Sequence, residues 1–132
     1  MKIKRSVWAA IIAQAQRELP NEACGYLAEA DGVVSAHYEL VNTDASNEHF
    51  SMDPKEQFAA VKDMRAKGLK QAAVYHSHPE TPARPSEEDK RLAYDPNISY
   101  VIVSLAAEQP DVKSFRIRGQ EVEPELIEIL ED

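Results

Sequence analysis

Two histidines, a serine and an aspartate fall within HSHPETPARPSEED, His76 to Asp89, and together they offer the ligands of a catalytic metal. The preceding AAVY is apolar and β-prone, which places His76 and His78 at the end of a buried strand. Residues two apart on a strand share a face, so both imidazoles converge while Ser77 turns away. Pro79 ends the strand, and Pro79, Pro82 and Pro85 stiffen the loop behind it. Ser86-Glu87-Glu88-Asp89 before KRLAY reads as a helix start, with Ser86 at the N-cap and Asp89 in the first turn. The short loop folds Asp89 back on the histidines. Two imidazoles and a carboxylate leave a fourth position for water, the arrangement of a catalytic rather than a structural zinc. Each half alone has a plainer reading. His-x-His pairs occur on many surfaces, and Ser-x-x-Asp is also an ordinary capping box. The two joined by a rigid connection point to a metal.

The elements that must position these residues follow from periodicity. A first helix runs from about Ser6 to Glu18, with Trp8, Ile11, Ile12, Ala15 and Leu19 forming its apolar face. Pro20-Asn21 stops it and delivers the chain to Glu22, at the mouth of a strand CGYLAEA. Asp31-Gly32 turns that strand back into VVSAHYEL, a hairpin. Val34, Ala36, Tyr38 and Leu40 then share one face, and His37 lies on the solvated one. His49 has no partner at ligand spacing. Cys24 reads as a small buried hydrophobe. Phe50 to Met52 reads as a short strand, followed by a helix with cap Asp53, Pro54 at its first position and Lys67-Gly68 at its end. The ligand strand, the Ser86 helix, a strand SYVIVSLA and a strand Val112 to Arg118 come next, then ELIEILED as a short amphipathic tail or helix. Helices between strands suggest crossovers with some parallel pairing, hence an α/β fold with a mixed sheet and flanking helices.

At 132 residues the chain is expected to form one domain, residues 1–132. Its formal charge of −8 repels phosphate backbones and argues against nucleic-acid binding. No apolar run has transmembrane length, MKIKRSVW lacks a signal-peptide core, and a single cysteine excludes an internal disulfide framework. The expectation is a cytoplasmic protein without membrane partners.

His76-Ser77-His78, seven residues, Ser86, two residues and Asp89 resemble the signature of the JAMM/MPN+ metalloprotease family, also called Mov34/MPN/PAD-1. Glu22 in PNEACGYL, on its own one more surface glutamate, resembles the family's upstream glutamate. The similarity extends through Asn42 and the FSMDP at Phe50 to Pro54. The resemblance implies the MPN fold, related in architecture to cytidine deaminases, and zinc held by His76, His78 and Asp89. Glu22 would serve as general base without being a ligand. Ser86 would place a hydroxyl, with the helix N-terminus behind it, where charge develops on a carbonyl oxygen. The implied reaction is hydrolysis of an amide or isopeptide bond without an acyl-enzyme. The chain looks like the compact prokaryotic branch of the family. That branch acts on ubiquitin-like sulfur carriers, β-grasp proteins ending in Gly-Gly, and frees the C-terminus from a peptide extension or an amino acid such as cysteine. Two further readings stand beside it: a general zinc peptidase or deconjugase, and a non-catalytic MPN interaction module, which has no need of the five filled positions. A zinc deaminase would need a Cys-x-x-Cys pair, which this chain lacks.

Overall fold

Strand β4, Lys70–His78, runs through the middle of an eight-stranded mixed sheet and ends in the two histidines. The computed structural model describes residues 1–132. In chain order the elements are β1 (Lys2–Lys4), α1 (Arg5–Arg17), β2 (Cys24–Ala30), β3 (Val33–Leu40), α2 (Pro54–Ala66), β4, α3 (Glu87–Arg91), β5 (Ser99–Ser104), β6 (Asp111–Arg118), β7 (Glu121–Glu125) and β8 (Glu128–Leu130). Across the sheet the order is β7-β6-β5-β4-β2-β3-β1-β8. β4 pairs antiparallel with β2 and parallel with β5, so α3 lies in a crossover between parallel neighbours. No helix is long and apolar enough to cross a membrane.

Helix α1 covers one face of the sheet, where Val7, Ile11 and Ala15 pack with Leu27, Tyr75 and Val101. Helix α2 covers the other through Ala60 and Met64, against Cys24, Tyr26 and Leu40. The hairpin turn falls at Asp31 and Gly32, both with positive φ, as a tight two-residue connection requires. Asp53 caps α2 by accepting from the Lys55 amide, with Pro54 at the first helical position. Gly68, at φ 70°, ends it.

Four expectations are corrected. The buried stripe of α1 is Val7, Ile11, Gln14 and Ala15, whereas Leu19 lies beyond the helix and is exposed. Its centre is turned toward Gln14 because that amide finds two buried partners. The Tyr75 hydroxyl donates to Gln14 Oε1, and Gln14 Nε2 donates to the Cys24 carbonyl at 3.2 Å. In β3, Val34 packs on the α1 side while Ala36, Tyr38 and Leu40 pack on the α2 side. A bulge opposite Ala28/Glu29 inserts one residue and reverses the alternation. Phe50 to Met52 forms no strand. The ELIEILED tail contributes β8 rather than a helix, because Ile127 and Ile129 alternate with Glu128 and meet the core beside the open edge of β1.

Gly25 lies where a Cβ would stand 2.2 Å from the Tyr38 carbonyl oxygen and 2.5 Å from the Tyr75 hydroxyl. The carbonyl belongs to a paired strand and cannot yield. Gly25→Ala is therefore expected to lower stability by about 3 kcal/mol, read from the shift of the urea unfolding midpoint.

Candidate active site

The register of β2 against β4 builds one side of the site. Cys24 pairs with His76, and the pairing continues beyond the strand through Ser77, whose amide donates to the Ala23 carbonyl at 2.9 Å. Ser77 Oγ accepts from the Ala23 amide at 2.7 Å. This stitching sets Glu22 opposite His78, on the same face of the sheet as both imidazoles. Glu22, His76 and His78 are each no more than 5 % exposed.

The other side comes from α3. Ser86 Oγ accepts from the Asp89 amide at 3.0 Å, and Asp89 Oδ2 accepts from the Ser86 amide at 2.9 Å, a reciprocal capping box. The same Oδ2 lies 3.2 Å from His76 Nε2 and 3.1 Å from His78 Nε2, and the two Nε2 atoms are 3.1 Å apart. The capping and ligand readings of Ser-x-x-Asp thus describe one geometry.

These three atoms suit a small cation. Bonds of about 2.0–2.1 Å in a tetrahedron place ligand atoms roughly 3.3–3.4 Å from each other. The observed triangle is close to one face of such a tetrahedron, and it consists of two imidazole nitrogens and a carboxylate oxygen. His78 Nδ1 donates to the Pro82 carbonyl at 2.9 Å, which leaves Nε2 free to face a metal. The Pro79–Pro85 loop therefore orients a ring as well as shortening the connection. His76 is held by its neighbour Phe50, stacked at 4.7 Å between centroids and 23° between planes.

Electrostatics separates the carboxyls. Against the burial that would raise it, hydrogen bonds from His76 and His78 hold the Asp89 carboxyl well below the ordinary carboxylate range. Burial pushes the Glu22 carboxyl up from 4.5 to about 8 in the metal-free chain. Glu22 Oε1 is buried with no hydrogen-bond partner. A carboxyl buried and unpaired beside a candidate cation site is set up to take and give a proton. The Ser86 hydroxyl accepts one bond and donates none within the chain, so its hydrogen is available to a ligand.

An apolar cleft of about 430 Å³ opens beside His76 and Asp89, lined among others by Tyr26, Met52, Val74, Leu92 and Tyr100. The remaining histidines lie apart from the triad. His37 pairs with Glu39 at 3.1 Å, and His49, which is not among the converging ligand atoms, pairs with Glu88 at 2.9 Å. Cys24 is packed in the core, its thiol pushed up to about 12 by burial, and is not among the converging ligand atoms. Phe50 enters the sequence reading only within the FSMDP stretch, which does not foretell its stacking on His76, because an aromatic between a histidine and a serine carries no spacing signal of its own.

The family described as prokaryotic homologs of the JAB domain matches residues 4–118. The CysO-cysteine peptidase of Mycobacterium tuberculosis is 32% identical over 132 residues, covering 98% of this chain and 90% of that protein. Among solved structures, a protein of Desulfitobacterium hafniense is 49% identical with a TM-score of 0.90, covering 99% of this chain and 93% of the other. A JAB1/MPN domain protein of Archaeoglobus fulgidus is 25% identical with a TM-score of 0.69, over 98% and 99%. A triad built on the end of a central strand and the cap of a short crossover helix accompanies this likeness along nearly the whole chain. The chain belongs to the prokaryotic branch of the JAB/MPN (JAMM) family.

Proposed function

We propose that this protein is a zinc-dependent hydrolase that cuts the amide or isopeptide bond after the C-terminal Gly-Gly of a ubiquitin-like sulfur carrier in the cytoplasm. The observation that carries the reading is the convergence of His76, His78 and Asp89 beside a buried, unpartnered Glu22. The similarity to a peptidase named for CysO-cysteine supports a small adduct on a protein C-terminus as the group removed.

His76, His78 and Asp89 would hold the ion. When bound, zinc supplies Lewis acidity that brings water's proton within reach of a carboxylate near neutral pH. Glu22 accepts that proton and later delivers it to the leaving amine. Ser86 donates its hydroxyl hydrogen to the carbonyl oxygen as negative charge grows there. Helix α3 has only five residues, so the hydroxyl rather than a helix dipole carries this role.

The fold also suggests where a Gly-Gly tail lies. β4 is paired on both sides and the sheet's free edges are β7 and β8, so a tail cannot join the main sheet at the metal. Ser51 is committed to Asn42 and Thr43, but the peptide groups of Phe50 and Met52 have no partner within the chain. Both residues line the cleft. A tail without side chains fits against that segment, hydrogen-bonding through its backbone.

Intact-mass spectrometry tests the reaction: a β-grasp carrier extended after Gly-Gly by cysteine or a short peptide, incubated with zinc-loaded protein, should lose the extension at the second glycine. Absence of cleavage despite bound zinc would reject this substrate class. Glu22→Gln should retain zinc and lose 10²–10⁴-fold in kcat, whereas His76→Ala and Asp89→Ala should lose the metal itself. Full zinc occupancy in either of the last two would overturn the ligand assignment.

A second expectation concerns pH. A carboxyl whose folded pKa is raised from 4.5 to about 8 favours folding below the lower value and loses that contribution as pH rises through the upper one. In metal-free protein, raising pH from about 5 to 8 should therefore destabilise wild type relative to Glu22→Gln. The difference should be on the order of 2 kcal/mol, below the full shift because the effective dielectric around buried groups screens the charge once it forms. Urea unfolding with chelator at the two pH values measures it, and equal pH slopes for both proteins would refute it.

A further inference from the structure

We infer that Asn42 is the positioning residue of this site: its single side chain holds the backbone of Glu22 and the segment that carries Phe50 in one arrangement. The inference rests on Glu22 being the general base of the proposed reaction.

Glu22 precedes β2, so its own N–H and C=O pair with no strand, and the sheet holds only the adjoining Ala23 amide through Ser77 Oγ. Its amide donates to the Ser46 carbonyl at 2.8 Å, and its carbonyl accepts from Asn42 Nδ2 at 3.1 Å. Both partners of the Glu22 backbone itself therefore come from the loop after β3. Asn42 organises that loop. Its Nδ2 also faces the carbonyls of Ser46 at 3.4 Å and His49 at 2.9 Å, while its Oδ1 accepts from the amides of Asp44 at 3.0 Å and Ser51 at 3.3 Å.

The partners divide by type, with carbonyls around the nitrogen and amides around the oxygen. Only a carboxamide satisfies both sets, since a carboxylate would turn an acceptor toward three acceptors. The held residues lead directly to the chemistry. His49 and Ser51 bracket Phe50, whose ring stacks on His76. One amide group thus fixes the backbone that carries the base and the aromatic wall against a metal-facing imidazole. A displacement of about 1 Å at such a site costs roughly 100-fold in rate.

The test uses full-length protein with Asn42→Ala and the isosteric Asn42→Asp, which keeps the acceptor and removes the donor. Both should lower kcat about 100-fold with zinc affinity within threefold of wild type, while KM rises as the Phe50 segment that lines the cleft loosens. In the Glu22→Gln background, Asn42→Ala should slow kcat less than twofold, because its effect on the bound complex runs through a base already removed, while its hold on the Phe50 segment reads out in KM. A full additional 100-fold loss there, or a rate loss that follows zinc loss, would overturn the inference. Amide hydrogen exchange followed by NMR gives a readout independent of turnover. The Glu22 amide should exchange at least tenfold faster in Asn42→Asp, while the Ser77 amide, bonded to Ala23 from the opposite strand, keeps its protection. Unchanged Glu22 protection would refute the positioning role even if no substrate is cleaved. Absence of cleavage by wild type together with faster Glu22 exchange would reject the reaction and leave the positioning role standing.

Discussion

One carboxylate oxygen, Asp89 Oδ2, ties the site together. It accepts from the Ser86 amide at 2.9 Å and stands within 3.2 Å of both imidazole nitrogens. A five-residue helix has little intrinsic stability, because nucleation fixes several residues before propagation offsets the cost. The reciprocal cap supplies what length does not, and it shares Asp89 Oδ2 with the group of atoms suited to a metal. Placing the helix and placing the ligand are therefore a single event. Asp89 also shows why a charge tolerates this depth. It meets two imidazoles and an amide, which is how buried carboxylates remain ionised.

This local character made half of the site legible in the sequence. The spacing from His76 to Asp89 falls on one strand, one rigid loop and one helical turn, each with its own residue preferences. The Asp31-Gly32 hairpin, the Asp53-Pro54 helix start and the order of most elements are local in the same sense. What could not be read depends on contacts between distant segments. Glu22 has no local signal, because its neighbourhood is set by the β2–β4 register and by a loop twenty residues away. The β3 bulge, which moves Val34 to the opposite face, follows from fitting two neighbours at once. Gln14 looked like a polar interruption of an apolar face until Tyr75 and the Cys24 carbonyl were brought to it. β8 exists because β1 offers it an edge, so residues that alternate over a short stretch became a strand rather than a helix.

Strand alternation separates structural work from chemistry within a few residues. On the α1 face, Tyr75 is pinned by Gln14 and Ser77 is stitched to Ala23, with their polar atoms matched. On the opposite face, His76 and His78 turn their Nε2 atoms toward Asp89, and Glu22 leaves Oε1 unpaired. Cys24 and Glu22 make the same point along β2. They are two residues apart on one face, yet the thiol is closed in by α2 and the core while the carboxyl stands just beyond the end of the strand. Burial raises both groups, to about 12 and about 8 respectively. The first value removes a thiol from chemistry at neutral pH. The second brings a carboxyl into it, and a neighbouring divalent cation would draw that value down toward the range in which a base is ionised and still willing to accept a proton. The end of a buried strand thus suits the proposed base: the carboxyl is buried, yet no hydrogen bond within the chain competes for Oε1.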